Sequence, residues 1–249
     1  MRLQNKVALI TGAASGFGAE LARRFSAEGA KLSLFDMDGD GLARVNAEVG
    51  GDAACTVGSV AEESDVQAAV DATIAKFGRL DILMNNAGIG GRMRPIERME
   101  MADFDNMMAV NVRGVFLCAR AAVPHLVAAG GGSIINTSST ASLKPRTGSS
   151  AYTMAKAGVS AFTRALAVEL GPKNIRCNAL LPVAADTAFL DKQFGKHKDG
   201  ALPGIAEAIP LGRLCQVGDY ASAATFLCSD EASFLNGVLL NVDGGWLSF

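Results

Sequence analysis

Between residues 6 and 28 an apolar run, a glycine-rich turn and a helical pattern follow one another without a gap. Lys6-Val7-Ala8-Leu9-Ile10 reads as a buried strand, Thr11-Gly12-Ala13-Ala14-Ser15-Gly16-Phe17-Gly18 as the turn, and Ala19 to Glu28 as a helix. Glycines let a backbone turn tightly and approach a ligand closely. The helix that follows offers unpaired N–H groups and a positive dipole end, which suits a pyrophosphate. The spacing here is Gly-x-x-x-Gly-x-Gly rather than the general Gly-x-Gly-x-x-Gly. A glycine-rich turn alone is often only a turn, so the flanking strand and helix carry the reading.

The same alternation runs through the chain. Strand-like apolar runs fall at 6–10, 31–35, 53–57, 81–84, 132–137, 174–180 and 237–241. Helical stretches lie near 17–28, 39–49, 62–77, 103–128, 152–170 and 217–228. Alternation of this kind predicts βαβ units. The expected fold is a Rossmann-like, doubly wound α/β domain, with seven parallel strands and helices on both faces. No linker, repeat or low-complexity tract divides the 249 residues, which predicts one domain. The stretch 182–211, with three prolines and three glycines, reads as irregular. Its length and its place after the sixth strand mark a substrate loop at about 183–211.

The second strand ends in Asp36. A carboxylate there accepts hydrogen bonds from the ribose hydroxyls of NAD and repels the 2′-phosphate of NADP. No arginine lies in the glycine-rich motif or directly after Asp36 to bind that phosphate. The alternative is that Asp36 caps the next helix, but Asp38 is placed to take that role. The cofactor expected is therefore NAD.

Of two tyrosines, Tyr152 stands four residues before Lys156 at the start of a helical pattern. Positions i and i+4 share a helix face. A nearby cation favours phenolate over phenol, so the pair predicts a tyrosine that sheds its proton more readily than the usual ~10. That chemistry suits interconversion of an alcohol and a carbonyl. Taken alone, the pair equally describes a half-buried tyrosine beside a solvated lysine.

Net charge is −2, without the basic footprint of a nucleic-acid binder. The chain opens almost directly on a strand, no signal-peptide pattern precedes it, and no apolar run approaches the ~20 residues that span a bilayer. Five cysteines lack metal-ligand or CxxC spacing, and His125 and His197 have no obvious partners. A cytoplasmic protein without a catalytic metal is expected.

Together these features resemble the short-chain dehydrogenase/reductase family over essentially the full length. The matching residues are Thr11-Gly12-x-x-x-Gly16-x-Gly18, Asn85-Asn86-Ala87-Gly88, Asn111, Ser139, Tyr152-x-x-x-Lys156 and Asp243-Gly244-Gly245. Pro210-Leu211-Gly212-Arg213 and Ser229-Asp230-Glu231-Ala232-Ser233 also match. The resemblance implies an NAD-dependent dehydrogenase or ketoreductase acting on a small alcohol or ketone. Tyr152 would be its general acid and base, and Ser139, thirteen residues upstream, would hold the substrate oxygen. Ser138 is the rival for that place. Lys156 would bind the nicotinamide ribose and lower the tyrosine pKa. Asn111 would hold a water linking Lys156 to solvent, or simply be satisfied by backbone.

Cofactor contacts implied by the resemblance begin with Gly12, Ser15, Gly16, Phe17 and Gly18 in the turn. Asp36 follows, then Ser59 and Val60 after the third strand, and Asn86, Ala87 and Gly88 after the fourth. Tyr152 and Lys156 reach the nicotinamide end, where Pro182, Val183, Ala185 and Thr187 pack on the cofactor. Two places depart from the family. Ser59-Val60 stands where Asp-Val is usual, and Pro182-Val183 where Pro-Gly is usual. Valine does not easily take a positive φ, so the loop either never needs one or runs differently.

Arg92, Arg94, Lys144 and Arg146 match positions that border the family's pocket, and Lys192, Lys196 and Lys198 add charge to the loop. An anionic substrate and a neutral one both remain open. The resemblance also implies a homotetramer, with 103–128 and 152–170 pairing across one interface and Trp246 at another. Val159, Phe162 and Leu166 would give the second of those helices an apolar face on two sides, a pattern that a helix fully buried within one chain would share. An acyl carrier protein reductase acting on 3-oxoacyl thioesters is the competing enzyme. A nucleotide-sensing binding protein is the non-enzyme alternative.

Overall fold

The computed structural model describes residues 1–185 and 198–248. Seven strands form one sheet: β1 (Val7–Thr11), β2 (Lys31–Asp36), β3 (Ala54–Val57), β4 (Ile82–Asn85), β5 (Gly132–Thr137), β6 (Ile175–Pro182) and β7 (Leu239–Val242). All pairings are parallel, in the order β3-β2-β1-β4-β5-β6-β7. The expected strands are all present, with their ends moved by at most two residues. From β1 the chain winds outward to β3, then returns to β1's other side as β4. Connections leaving β1 and β4 therefore diverge, which opens a crevice at the carboxyl ends of the strands.

The helices are α1 (Gly16–Ala27), α2 (Gly39–Glu48), α3 (Glu63–Phe77), α4 (Met101–Met108), α5 (Gly114–Ala128), α6 (Ser150–Leu170), α7 (Lys198–Glu207) and α8 (Val217–Cys228). Successive strand residues point to opposite faces. Ile10, Leu34 and Met84 pack with Phe25, Leu42 and Tyr220 from α1, α2 and α8. Leu9, Phe35 and Leu83 pack on the other side with Val66, Leu117 and Leu166 from α3, α5 and α6. Each such fully buried side chain contributes ~1.5–3 kcal/mol from apolar burial, before chain entropy is counted against it. Both faces are covered, which is why the strands read as continuous apolar runs.

Local signals set the helix ends. The Asp38 carboxylate accepts from the Gly41 N–H at 3.0 Å and starts α2, leaving Asp36 to the strand end. Gly78, at φ 74°, stops α3 and donates to the Ile74 carbonyl at 2.8 Å. Gln216 and Asp219 form a reciprocal capping box at α8.

Three expectations need correction. The helix expected over 103–128 is split by a π-helical turn, Ala109–Arg113, between α4 and α5. Within 182–211, α7 forms a helix despite Pro203, whose missing N–H and fixed φ concealed it. Met101–Ala128 is long and apolar enough by length and composition to cross a membrane, although no such run was expected. It lies along the sheet, with Leu117, Ala122 and Leu126 in the core. On α6, Val159 and Leu166 are buried in this chain's own core, as the sequence allows, and Phe162 packs on Phe116 with ring centroids 5.8 Å apart. The outward apolar residues of α6 are Met154 and Val168.

Candidate active site

The crevice is a cleft of about 670 Å³ running along the carboxyl ends of the central strands. Gly12, Ser15, Gly16 and Phe17 line it where β1 turns into α1. A Cβ on Gly18 would sit 1.9 Å from the Gly12 carbonyl oxygen, and one on Gly12, at φ 66°, 2.8 Å from Ala87 Cα. Only glycines let the turn lie this close to the β4 loop. Ser15 is the N-cap of α1 without a side-chain bond to its own helix, and the first turn carries no acid. Unpaired N–H groups, the dipole and the lack of competing charge fit a pyrophosphate.

Asp36 lines the cleft at the end of β2. Its carboxylate accepts from the N–H groups of Ala14 at 2.9 Å and Asp38 at 3.1 Å. It thus fixes the glycine turn as well as facing the cleft. Arg44 braces the same turn from outside, donating to the Ala14 carbonyl at 2.9 Å. Sequence reasoning missed Arg44, because nothing in its helical context distinguishes it from a solvated arginine.

Ser59 and Val60 line the wall beyond Asp36. The Ser59 hydroxyl accepts from the Ala61 N–H at 3.2 Å, and Val60 packs into the core, so the side chains serve the local turn. Asn86 donates to the carbonyls of Thr11 at 3.0 Å and Gly12 at 3.1 Å. The Thr11 hydroxyl in turn accepts from the N–H groups of Asn86 and Ala87. This tie holds the β1 and β4 ends together, with Asn86, Ala87 and Gly88 on the cleft wall.

At the other end Ser139, Tyr152 and Lys156 come together. Ser139 follows β5, its hydroxyl accepts from the Ala141 N–H at 3.1 Å, and it lines the same end of the cleft as Tyr152. Ser138 is turned away: its hydroxyl donates to the Lys156 carbonyl at 2.9 Å and lies 2.8 Å from the Ser160 hydroxyl. Ser139 is therefore the serine beside the phenol. Tyr220, the other tyrosine, is fully buried, stacks on Phe17 at 4.2 Å and meets the Thr137 hydroxyl at 2.6 Å.

Lys156 is 3 % exposed and donates to the Thr137 carbonyl at 2.7 Å. Burial pulls its ammonium down to about 8. The Tyr152 phenol is pushed up to about 12 by burial, against the opposing effect of the Ser139 hydrogen bond. This reverses the expected lowering. Lys156 Nζ lies 5.9 Å from the Tyr152 ring centroid and points at a carbonyl, so desolvation outweighs its field. In this arrangement Tyr152 is a proton donor at neutral pH.

Asn111 is buried inside the π-helical turn. Its carboxamide accepts from the Ile89 N–H and donates to the Ile89 carbonyl, each at 2.8 Å. Gly88 lies between it and Lys156: a Cβ there would meet Asn111 Oδ1 at 3.0 Å and Lys156 Nζ at 3.4 Å. The side chain thus clamps the β4 loop beside the lysine. Such π-turns recur at functional sites but leave no mark in side-chain periodicity.

Pro182, Val183 and Ala185 close this end of the cleft. Val183 needs no positive φ: Asn5 and Asn174 are the only non-glycine residues with one among the described residues. Its side chain packs with Ile209, Cys215, Phe17 and Trp246. Trp246 sits in this intramolecular cluster. Thr187, Asp191, Lys192 and Lys196 lie outside the described residues, as does the Lys198 side chain. Of the four pocket cations expected, Lys144 and Arg146 line the cleft, whereas Arg92 and Arg94 do not. Arg94 is 3.5 Å from Asp103 and 4.0 Å from Glu100. Among the described residues no group of histidine, cysteine and acidic side chains could hold a metal.

Comparison with known proteins gives a consistent result. A family model described as enoyl-(acyl carrier protein) reductase matches residues 12–247. D-threitol dehydrogenase of Mycolicibacterium smegmatis is 38% identical over 248 residues, covering 98% of this chain and 94% of that one. Levodione reductase of Leifsonia aquatica is 37% identical over 254 residues, covering 98% and 95%. The crystal structure of a 3-ketoacyl-(acyl carrier protein) reductase from Brucella melitensis, complexed with NADH, superposes with a TM-score of 0.92. It is 44% identical and covers 98% of this chain and 99% of that one. With the sheet order, the glycine turn and these matches in agreement, the chain belongs to the short-chain dehydrogenase/reductase family.

Proposed function

We propose that this protein is an NAD(H)-dependent oxidoreductase that interconverts a secondary alcohol and a ketone. The observation that carries this reading is the meeting of Ser139, Tyr152 and Lys156 at one end of a cleft whose other end holds the glycine turn and Asp36. Relatives named for dehydrogenating threitol and for reducing levodione support it. NAD, when bound, supplies the two-electron chemistry.

The chain's residues divide the remaining work. The turn from Gly12 to Gly18 and the start of α1 hold the pyrophosphate, and Asp36 takes the adenosine ribose and disfavours a 2′-phosphate. Ser59, Val60 and Asn86 to Gly88 wall the adenosine half, and Lys156 with Pro182, Val183 and Ala185 the nicotinamide half. Ser139 hydrogen-bonds the substrate oxygen. Tyr152 gives that oxygen its proton in reduction and takes it back in oxidation, help typically worth ~10²–10⁴ in rate. Lys156, beside Asn111, replenishes the tyrosine proton.

The test is NAD⁺- and NADP⁺-dependent oxidation across a panel of secondary alcohols. This reading expects activity with NAD⁺ at least tenfold above NADP⁺. A preference for NADP⁺ would overturn the role of Asp36. The second reading, a 3-oxoacyl thioester reductase, is favoured by the 44% identical structure with NADH. Turnover of an acetoacetyl thioester well above that of simple ketones would select it.

The assembly proposed is a cytoplasmic homotetramer with no nucleic-acid partner. Its support is the family together with the outward apolar residues Phe116, Met154 and Val168 on α5 and α6. Light scattering on the purified protein checks it, and a monomeric mass would reject it.

A further inference from the structure

The charged side chains of the cleft are segregated. Asp36 and Asp38 line the end at β2, whereas Lys144, Arg146 and Lys156 line the end with Tyr152. The Lys156 ammonium is committed to the Thr137 carbonyl, and Lys144 donates to the Trp246 carbonyl at 3.1 Å. Arg146 differs from both. Its backbone is fixed, the N–H donating to the Ser149 hydroxyl at 3.1 Å and the carbonyl accepting from it at 2.6 Å. Its guanidinium carbon lies 5.2 Å from the Trp246 ring centroid, and Lys144 Nζ lies 4.7 Å from the same centroid.

No carboxylate of the described residues pairs with this guanidinium. Arg94 has Asp103 and Arg213 has Asp219, but Arg146 has only an aromatic face. Burial pushes its pKa down with no acid to oppose the shift. A planar fork of donors placed over an indole face suits bidentate binding of an oxyanion. The indole face stabilises the cation but accepts no in-plane hydrogen bond.

We propose that Arg146 reads a carboxylate on the substrate, so that the natural substrate is a hydroxy acid or oxo acid. The acid group docks on the Arg146 guanidinium with Lys144 as a second charge, while the carbinol or carbonyl oxygen meets Ser139 and Tyr152. Trp246 is a positioning residue that holds both cations. The inference rests on the oxidoreductase reading above and names the substrate class for that site.

Trp246 is the one tryptophan of the chain, so its fluorescence reports on this corner directly. The probes are 4-oxopentanoate and 5-oxohexanoate, each paired with its methyl ester, which keeps the skeleton and removes the charge. With NAD⁺ present no turnover of these ketones occurs, and the acids should change Trp246 emission saturably while the esters do not. With NADH the acids should exceed the esters in kcat/KM by at least tenfold. In R146Q that ratio should fall at least tenfold, through KM for the acids, and R146K should recover part of it.

Equal handling of acids and esters by the wild type, or a ratio untouched by R146Q, overturns the inference. Should R146Q fail to fold, the wild-type emission titration and R146K still decide. Turnover of esters without preference for acids removes the carboxylate and leaves the oxidoreductase. Absence of turnover with every ketone removes both.

Discussion

The Lys156 ammonium donates to the carbonyl oxygen of Thr137 at 2.7 Å, at the carboxyl end of β5. That bond holds a nearly buried cation beside Gly88 and Asn111 and over the Tyr152 ring, 5.9 Å from its centroid. The sheet end thus sets the lysine's position, and α6 brings the tyrosine to the same place one helical turn earlier.

A buried lysine has a measurable consequence for stability. Its folded-state pKa of about 8 lies below the ordinary 10.5. Below pH 8 both states are protonated and the folded state bears the full cost of the buried charge. Between those values the unfolded chain binds more protons, so stability rises with pH. The shift corresponds to ~3 kcal/mol. Lys156→Met should therefore be more stable than the wild type at pH 7, by up to ~3 kcal/mol, with the gap narrowing by pH 9.5. Urea unfolding at the two pH values checks this. A variant less stable at pH 7, or a gap independent of pH, would contradict it.

Asn111 satisfies both backbone groups of Ile89. Asn111→Ala leaves a half-buried N–H and C=O without these partners, each costing up to ~1–3 kcal/mol. Denaturant unfolding should show a loss of ~2–4 kcal/mol. A near-neutral change would mean that Ile89 is held by something other than this clamp.

Gly18 faces the Gly12 carbonyl so closely that a methyl group cannot be accommodated. Gly18→Ala should weaken NADH binding at least tenfold by displacing the turn from α1, measured by equilibrium dialysis. Binding within twofold of wild type would show that the turn relaxes without consequence.

Asp36 both fixes the turn and meets the cleft. Asp36→Asn should reduce the NAD⁺ over NADP⁺ preference in kcat/KM by at least tenfold, because the repelling charge is gone. An unchanged ratio would place cofactor selection elsewhere.

The sheet and most helices were legible because their apolar periods are long and their ends carry Asp38, Gly78 and Gln216. The glycine turn, Asp36 and the Tyr152–Lys156 pair could be read from spacing and chemical type. Three features were not legible. The π-turn around Asn111 leaves residue periodicity unchanged, so it reads as continuous helix. The α7 helix is masked by Pro203. The direction of the tyrosine shift depends on where Lys156 Nζ points, and spacing on a helix does not fix that. In sequence Arg92 and Arg94 are indistinguishable from Lys144 and Arg146, because loop charges reveal their partners only in three dimensions.

The proposed function turns on Tyr152 as proton donor and acceptor in an NAD-linked alcohol–ketone interconversion. The most direct measurement compares wild type and Tyr152→Phe for turnover with NADH and for NADH binding by equilibrium dialysis. Turnover should fall by ~10²–10⁴ with binding within a few-fold of wild type. Turnover that survives the loss of the hydroxyl would contradict it.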